Sequence, residues 1–375
     1  MKKMVFVCMW LQVASLFCEP GISYRLLQLP NTSYMNAVTN YQSIHVIEID
    51  PHLYEIKLGK ALDNGLGRES VLSLNKRHGA LASINGGFFS IGGTYDGRAC
   101  GTLKIHDWVA LPTKPRGCIG WSSQTQMPVM DRLLVTVSGE TNALKFPING
   151  LNKARNEGEL ILFNSAFNRT TLTDPDGEEV TVIDGIVTSI REGGSSKIPG
   201  EGYVLSIHNT HPLFHTLQIG IQLQFHIDIQ PLLGLTTAEE WEACDYILNG
   251  VPLLIYDHKP IEDVQGEQIG IPTFLTNRHA RTAIGILPSG NWLLVVVDHT
   301  TLFDGMTIPE LTQLMKELGC LHALNLDGGG SSTMVYEGHL KNSPRGDEDE
   351  RLGDAKVRRV SEALMVLSKN IRNDH

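Results

Sequence analysis

The sequence predicts an α+β fold, a strand-rich mixed-sheet domain with few helices. Short runs of alternating or wholly apolar residues recur along the chain, as they do in half-buried and buried strands. Glycine is frequent, with 37 residues in 375, and supplies the tight turns that such strands need. Only one segment, Ile308 to Leu318, carries a clear helical period before the glycine that ends it.

The first 18 residues are predicted to be a signal peptide whose end falls between residues 15 and 23. Lys2 and Lys3 precede an apolar run, Met4 to Phe17, which is too short to span a bilayer comfortably. An uncleaved anchor or a buried N-terminal helix is the alternative. No later apolar segment approaches membrane length, so we expect an exported protein (periplasmic, secreted or luminal) without a stable membrane span after cleavage.

Residues 24–79 are predicted to form N-terminal strands and a helix that pack on the core. The runs "SIHVIEIDP" and "LYEIKLG" indicate two short strands, arranged as a hairpin around the intervening proline. The segment "GRESVLSLNKRHG" indicates a short helix that ends at Gly79.

The main domain is predicted to occupy residues 80–370. In it, "ALASINGGFF" indicates a buried strand that enters a glycine turn, and residues 132–190 alternate with strand periodicity. The charged segment 340–358 has no apolar period and is predicted to be an exposed loop. Further strands are predicted at "GYVLSIH", "LQIGIQLQFHIDI", "PLLIYD", "RTAIGIL", "WLLVVVD", "HALNLD", "TMVYEG" and "EALMVL".

Charge and cysteine content restrict the function classes. The formal net charge of −10 argues against nucleic acid as the main partner, because phosphate backbones are bound by clustered Lys and Arg. Export permits disulfides among Cys100, Cys118, Cys244 and Cys320. Cys100 and Cys118 bracket one local loop and are the predicted pair, with free buried thiols as the alternative. The absence of a C-x-x-C spacing argues against a zinc ribbon.

Three glycine-marked strand ends are the candidate site. They are "SINGGFFS" around Asn85, "NRHARTAIG" around Arg281 and "ALNLDGGGSSTMV" around Asp327. Each has an ordinary interpretation: a hairpin turn for Asn85, a solvated strand edge for Arg281 and a turn cap for Asp327. Three successive glycines are difficult to explain by packing, however. They allow a ligand to approach the backbone and its N–H groups, which favours a functional interpretation of the third stretch.

Signatures of several common enzyme classes are missing. The sequence contains no G-x-x-x-x-G-K-[ST], G-x-G-x-x-G, H-E-x-x-H or G-x-S-x-G. Two histidine patterns have residue types that bind metals: His208 with His211, and Asp298 with His299. Neither spacing is specific, so no dedicated transition-metal site is predicted.

Four segments taken together resemble the phosphodiester glycosidase family. They are "INGGFF", "IPGEGYVLSIH", "ARTAIGI" and the long stretch that runs from "DGMTIPELTQLMKELG" into "NLDGGGSSTMV". The similarity extends in order from about Ala80 to Leu367. The "NLDGGGSST" turn behind a helix is the specific signature, whereas "NGGFF" or "RTAIG" alone is weak. Residues after Gly101 and residues 140–180 do not match the family clearly.

The resemblance implies hydrolysis of a sugar 1-phosphodiester at the anomeric carbon. The products are a free sugar, for which N-acetylglucosamine is one candidate, and a phosphate monoester. The catalytic residues are then Asp327, Arg281 and Asn85. With their neighbours at the same strand ends, the substrate-binding residues are Gly86, Gly87, Thr282, Gly328, Gly329, Gly330, Ser331, Asp298 and His299.

The proposed chemistry suits these residue types. A phosphate monoester is a good leaving group because its second pKa is about 6, so strong general-acid help is less necessary. Asp327 would stabilise an oxocarbenium-like centre or orient water, and Arg281 would neutralise the departing phosphate. Asn85 and the glycine N–H groups would hold sugar hydroxyls or phosphate oxygens, with Asp298 or His299 as a second acid or base. No cofactor is expected, and a divalent cation is an open alternative.

Other function classes fit the same residues. The partner is then a sugar phosphodiester or a glycan, and the enzyme is an exported phosphodiesterase that cuts the P–O bond or a glycan hydrolase on the same scaffold. A non-catalytic sugar- or phosphate-binding protein is the remaining alternative.

Overall fold

The structure is a computed structural model that describes residues 11–13, 18–30, 41–63, 65–271, 273–300, 304–346, 350–352 and 355–369. Most of the predicted signal peptide lies outside these ranges; its described part comprises Cys18 and the strand Leu11–Val13, which pairs with Ile22–Pro30. Within the same ranges, none of the helices has the length and apolar character that a membrane crossing requires.

Strands dominate the described residues and form four sheets and one two-stranded hairpin. The strands of the nine-stranded sheet are Leu11–Val13, Cys18–Glu19, Ile22–Pro30, Tyr41–Ile49, Leu253–Tyr256, Lys259–Pro260, Arg281–Ile286, Trp292–Val297 and His322–Asn325. The strands of the seven-stranded sheet are Leu103–Ile105, Asp107–Ala110, Arg116–Trp121, Pro128–Glu140, Lys145–Ile148, Gln224–Pro231 and Tyr246–Gly250.

The remaining elements are smaller. The five-stranded sheet contains Tyr54–Lys60, Ala82–Asn85, Met334–Tyr336, His339–Leu340 and Glu362–Ser368. The four-stranded sheet contains Leu160–Asn164, Gly177–Ile183, Ile186–Glu192 and Tyr203–His208, and the hairpin contains Glu350–Leu352 and Ala355–Val357. The α-helices are Val71–Arg77, Ala238–Glu242, Thr273–Thr276 and Ile308–Glu317, and the 3₁₀ turns are Gln265–Glu267 and Gly329–Ser331.

The strand-rich character with few helices is confirmed, but the expectation of a mixed sheet is wrong for the described strands. Every ladder between them is antiparallel. Sequence neighbours such as Arg281–Ile286 and Trp292–Val297 are joined by short turns, which favour antiparallel pairing because a parallel neighbour needs a longer crossover. Such turns are what the abundant glycine supplies.

The predicted hairpin between the runs "SIHVIEIDP" and "LYEIKLG" is also wrong. Tyr41–Ile49 pairs with Ile22–Pro30 on one side and with Trp292–Val297 on the other. Tyr54–Lys60 pairs instead with Glu362–Ser368 in the five-stranded sheet. Both edges of the central strand Tyr41–Ile49 are therefore occupied, so it cannot also pair with its sequence neighbour. The short helix before Gly79 is confirmed as Val71–Arg77.

The predicted Cys100–Cys118 pair does not form, and all four cysteines from Cys100 onward are free thiols. Cys118 lies on a central strand with its thiol wholly buried, whereas Cys100 is exposed on a loop. The two side chains therefore belong to different environments. Cys244 and Cys320 are buried, in agreement with the free-thiol alternative.

The largest hydrophobic cluster lies among the nine-, five- and seven-stranded sheets. Trp292 and Trp121 meet there edge to face, with ring centroids 5.1 Å apart. The helix Ile308–Glu317 covers the nine-stranded sheet through Leu311 and Met315, which pack in a separate cluster. This packing fixes the two strands that end at Asn85 and Asn325, and the candidate site is built where they end.

Candidate active site

Two of the predicted strand ends meet across two sheets. Asn85 ends a strand of the five-stranded sheet, and Asp327 follows a strand of the nine-stranded sheet by two residues. The Asn85 Nδ2 group donates a hydrogen bond to the Asp327 carbonyl at 2.8 Å, and the Asp327 N–H donates to the Gly86 carbonyl at 3.3 Å. The "NGG" and "DGGG" turns are therefore joined directly.

Asn85 is the hub of this junction. Its side chain is 1% exposed, and its Oδ1 atom accepts hydrogen bonds from the Thr282 hydroxyl at 2.8 Å and from the Thr333 N–H at 3.2 Å. Thr282 is itself fully buried, and its hydroxyl oxygen lies 3.2 Å from the Ser332 hydroxyl, from which it can accept a hydrogen bond. Because the amide of Asn85 is bonded to protein on both sides, its position suits the alignment of the strand ends rather than contact with a sugar hydroxyl.

Asp327 is the carboxylate that faces the candidate site, and it is only partly exposed. Its Oδ1 atom accepts a hydrogen bond from the Gly328 N–H at 2.9 Å, and it also bonds to the Ser331 hydroxyl. Burial raises the pKa of Asp327 to about 6, although these two bonds and the charge of Arg358 each lower it. A carboxyl group with this pKa is largely ionised at neutral pH and has a poorly solvated charge, as catalytic carboxylates often have.

Each of the three glycines after Asp327 has a separate structural reason. A Cβ atom on Gly328 would lie 2.8 Å from the carbonyl oxygen of Ala280. Gly329 has φ +59°. A Cβ atom on Gly330 would lie 2.7 Å from an Nη atom of Arg358 and 3.0 Å from the Cα atom of Gly346. The third glycine therefore makes room for an arginine beside the carboxylate.

We expect Gly330→Ala to lower activity about 10- to 100-fold with little loss of thermal stability, because the added methyl group displaces the Arg358 guanidinium by about an ångström. Gly329→Ala is the matched control. Its Cβ atom meets open space but its backbone is left-handed, so we expect about 1 kcal/mol of lost stability and a smaller loss of activity. Turnover and denaturant unfolding of both variants check this, and the opposite ranking of activities would contradict it.

A polar cavity of about 330 Å³ opens beside the Asp327 turn. Its lining residues are His279, Ala280, His299, Thr300, Gly329, Gly330 and Arg345. The pKa of His279 is lowered by burial and then by the charges of Arg281 and His299, so its imidazole is neutral near pH 7. Among the described residues no group of three or more His, Cys, Asp or Glu side chains could hold a metal ion. The cavity instead offers hydroxyl, imidazole and guanidinium groups to a ligand.

Arg281 does not have the place that the sequence suggested. The side chain is 1% exposed, and it donates to the carbonyls of Met306 at 2.8 Å, Phe274 at 2.9 Å and Asn277 at 2.8 Å. Burial lowers its pKa to about 10. Its guanidinium therefore ties together two loops behind the cavity, because it compensates backbone carbonyls instead of an anion. The arginines near the glycine turn are Arg358 and Arg345.

Asp298 also lies behind the site. It is 2% exposed, and its oxygens accept hydrogen bonds from the Asn342 side chain at 3.1 Å and the Ser343 N–H at 3.0 Å, with His45 Nε2 at 3.2 Å. These contacts occupy the carboxylate, which argues against its predicted part as a second acid or base. The neighbouring His299 is exposed and does line the cavity.

The segment 340–358 is more than the exposed loop that its charge suggested. Asn342 is 8% exposed and donates to the carbonyl of Ser332 at 3.0 Å as well as to Asp298. Arg345 and Arg358, from the same segment, reach the cavity and the Asp327 turn. The high charge of the segment hid these contacts, because solvated loops and anion-binding loops have the same composition.

Sequence reasoning missed a second carboxylate, Glu362. It is 2% exposed, its Oε1 atom accepts from the Gly87 N–H at 2.7 Å, and its backbone carbonyl accepts from the Gly86 N–H at 3.0 Å. Burial, and to a smaller degree the charge of Asp327, raise its pKa to about 7. The signal in the sequence was weak, because a single Glu at the first position of a strand is usually solvated.

The family model described as phosphodiester glycosidase matches residues 176–367, just over half of the chain. The chain belongs to the phosphodiester glycosidase family. The resemblance inferred from the glycine-marked motifs is thereby confirmed. The match includes Arg281, Asp327, Arg358 and Glu362, whereas Asn85 lies before it.

Two curated relatives show the range of sequence identity and coverage. An uncharacterised protein of Rickettsia conorii is 27% identical over 60% of this chain and 77% of its own length. The N-acetylglucosamine-1-phosphodiester alpha-N-acetylglucosaminidase of Mus musculus is 30% identical over 31% of this chain. The matched region spans only 22% of the mouse protein, so the activity of that whole protein is not carried over directly.

Solved structures show the same fold. A hypothetical protein from Synechocystis has a TM-score of 0.75 at 23% identity, with 93% of this chain and 62% of that chain covered. A protein of Burkholderia pseudomallei K96243, named as exported, has a TM-score of 0.72 at 23% identity, with 88% and 74% covered. At these identities the likeness concerns the fold alone.

Proposed function

We propose that the protein hydrolyses a sugar 1-phosphodiester at the anomeric carbon and releases a free sugar and a phosphate monoester. The observation that carries this proposal is the partly exposed Asp327 carboxylate, set in a glycine turn between Arg358 and a polar cavity, in a member of this family. A carboxylate beside cationic groups suits a reaction in which positive charge develops on a sugar while a phosphate departs.

The roles of the residues follow from their contacts. Ionised Asp327 stabilises the oxocarbenium-like centre or orients the attacking water. Arg358 and Arg345 neutralise the phosphate, in the place first assigned to Arg281. His279 and His299 face the cavity and provide hydrogen-bonding groups for sugar hydroxyls. Asn85 and Glu362 keep the two glycine turns in register from behind.

The export of the protein is part of the same proposal. A pair of lysines precedes the apolar run of residues 4–17, as in secretory signals. The Burkholderia protein of similar fold, named as exported, supports the same location. Cleavage of the run in a secreting host, detected as a shortened N-terminus by mass spectrometry, is the corresponding check.

Hydrolysis in water enriched in heavy oxygen tests the reaction. Attack at the anomeric carbon places the label in the free sugar, and this is the expected result. Label in the phosphate monoester would identify P–O cleavage, and the protein would then be a phosphodiesterase on this fold. Tight binding of sugar phosphodiesters without any turnover would instead support a non-catalytic binding protein and overturn the proposal.

A further inference from the structure

A second cavity, of about 260 Å³, lies close to the candidate site and has a different character. Its walls are largely apolar, and its lining residues are Phe88, Cys100, Arg116, Val251, Ile269, Gly270, Ile271 and Phe274. The rings of Phe88 and Phe274 meet edge to face, with centroids 6.1 Å apart. Ile271 is 65% exposed at the rim.

Several apolar side chains of this cavity lie outside the hydrophobic core, although Val251 is buried and Phe274 packs against the cluster that contains Leu311. In the part of the chain that the structure describes, none of the hydrophobic clusters includes Phe88, Ile269 or Ile271. A large exposed isoleucine next to an open aromatic pair leaves apolar surface in contact with water. Such a surface inside a concave cavity is typical of a ligand site.

Short connections tie this cavity to the Asp327 turn. Phe88 directly follows Gly87, and the adjacent Gly86 carbonyl accepts the Asp327 N–H. Val251 donates its N–H to the Asn325 carbonyl at 2.8 Å, two residues before Asp327. The segment 274–280 contributes to both cavities, with Phe274 in the apolar one and His279 and Ala280 in the polar one. The two cavities are therefore connected through these segments and through the Asp327 turn.

The chemistry of the two cavities differs in a way that suits the two ends of one substrate. A sugar has several hydroxyl groups, and each loses its hydrogen bonds with water if no polar partner replaces them. The polar cavity provides such partners, whereas the apolar cavity provides one charged side chain, Arg116. At the edge of the apolar cavity, the guanidinium of Arg116 donates hydrogen bonds to the carbonyls of Pro115 and Glu267.

We propose that the apolar cavity binds the alcohol portion of the phosphodiester and that this portion is an alkyl or aryl group. This inference rests on the proposed function, because it assigns the sugar phosphate to the polar cavity. The substrate is then a sugar 1-phosphate esterified to an apolar alcohol. Its apolar group packs against Phe88, Phe274 and Ile271.

A series of sugar 1-phosphodiesters with methyl, ethyl, propyl and butyl alcohol groups tests this assignment. We expect kcat/KM to rise about two- to fourfold for each methylene group, because each is removed from water on binding. Ile271→Ser should reduce this increment markedly. The matched control is Ile219→Ser, since Ile219 is 66% exposed and lies outside both cavities. Equal kcat/KM values for all four esters, or equal increments in the two variants, would overturn the proposal.

Cys100 provides a readout that does not depend on turnover. It is the exposed thiol among the four free cysteines from Cys100 onward, and it lines the apolar cavity. We expect butyl phosphate to slow the alkylation of Cys100 by a thiol reagent several-fold more than methyl phosphate does, measured by mass spectrometry of its peptide. Buried Cys118 and Cys244 serve as internal controls for unfolding.

The two readouts separate the possible failures. Protection of Cys100 by butyl phosphate without hydrolysis of any diester would support the apolar site and refute the proposed function. Hydrolysis of the methyl ester with no chain-length increment and no protection would support the proposed function and refute the apolar site.

Discussion

Replacement of Asp327 by Asn is expected to lower kcat/KM for a sugar 1-phosphodiester by about 100- to 1,000-fold and to leave the fold intact. Asparagine retains a carbonyl oxygen for the Gly328 N–H but cannot supply the negative charge that the transition state needs. Steady-state kinetics on purified wild-type and variant protein measure the loss. Unchanged turnover would refute the central part of the proposed mechanism.

The same variant is expected to be more stable than the wild type at pH 7.5. The pKa of Asp327 is raised to about 6 in the folded protein, so the native state binds its proton more tightly than the unfolded chain does. This contribution favours folding below about pH 4 and is lost as the pH rises through 6. Asparagine removes the penalty, and we expect a gain of about 1 to 2 kcal/mol at pH 7.5 after allowance for partial exposure.

Asp298→Asn is the matched control because Asp298 carries the same charge on a nearby strand end. Its oxygens bind Asn342, Ser343 and His45, so its replacement should lower stability through lost hydrogen bonds. Its activity should fall less than that of Asp327→Asn. Urea unfolding at pH 4 and pH 7.5 therefore distinguishes a reactive carboxylate from a supporting one, and a gain of stability in Asp298→Asn would contradict this distinction.

The sequence revealed the parts of the site that depend on local patterns. Asn85 and Asp327 were found because each ends an apolar strand and precedes glycine, and the structure joins these two turns. The fold class was also largely accessible, since strand periodicity and turn residues are local properties. The pairing of Tyr41–Ile49 with Trp292–Val297 was not, because the partners are about 250 residues apart and nothing local encodes their register.

The direction in which a side chain points was the other property that could not be predicted from the sequence. Arg281 and Asp298 have the residue types and strand-end positions that a site requires, yet the structure turns both toward protein groups. Arg358 and Glu362 were overlooked because one lies in a charged segment and the other is the first residue of a strand. Their parts depend on contacts with Gly330 and Gly87, which are distant in sequence. The charge of a residue therefore did not predict whether its side chain lies in the site or is turned away from it.

Glu362→Gln is expected to remove a pH-dependent loss of stability between about pH 4.5 and pH 7. The pKa of Glu362 is raised to about 7, so the folded protein favours its protonated form. The stability linked to that proton is fully present at pH 4.5 and is lost as the pH rises through 7. The raised value corresponds to about 3 kcal/mol as an upper bound, and glutamine, which has no proton to lose, should be more stable at pH 8 by about 1 to 3 kcal/mol.

Measurements of activity distinguish two roles of Glu362: one in which it affects the ionisation of Asp327, and one in which it only holds the glycine turn. The Gln Oε1 atom can still accept the Gly87 N–H, so the glycine turn persists and kcat should fall less than tenfold near pH 7. Because the charge of Asp327 raises the pKa of Glu362, the two carboxyls titrate as a coupled pair. In Glu362→Gln, the acidic limb of the pH–rate profile should therefore show one ionisation, near pH 6, in place of two.

Glu267→Gln is the control for this experiment. Glu267 is fully buried and likewise accepts backbone N–H groups, from Gly117 and Leu253, but it lines neither the polar cavity nor the Asp327 turn. Burial raises its pKa too, so its replacement should also change the dependence of stability on pH. The pH–rate profile of Glu267→Gln should match that of the wild type, because Glu362 still interacts with Asp327. An identical shift of the profile in both variants would assign the effect to general stability and remove Glu362 from the site.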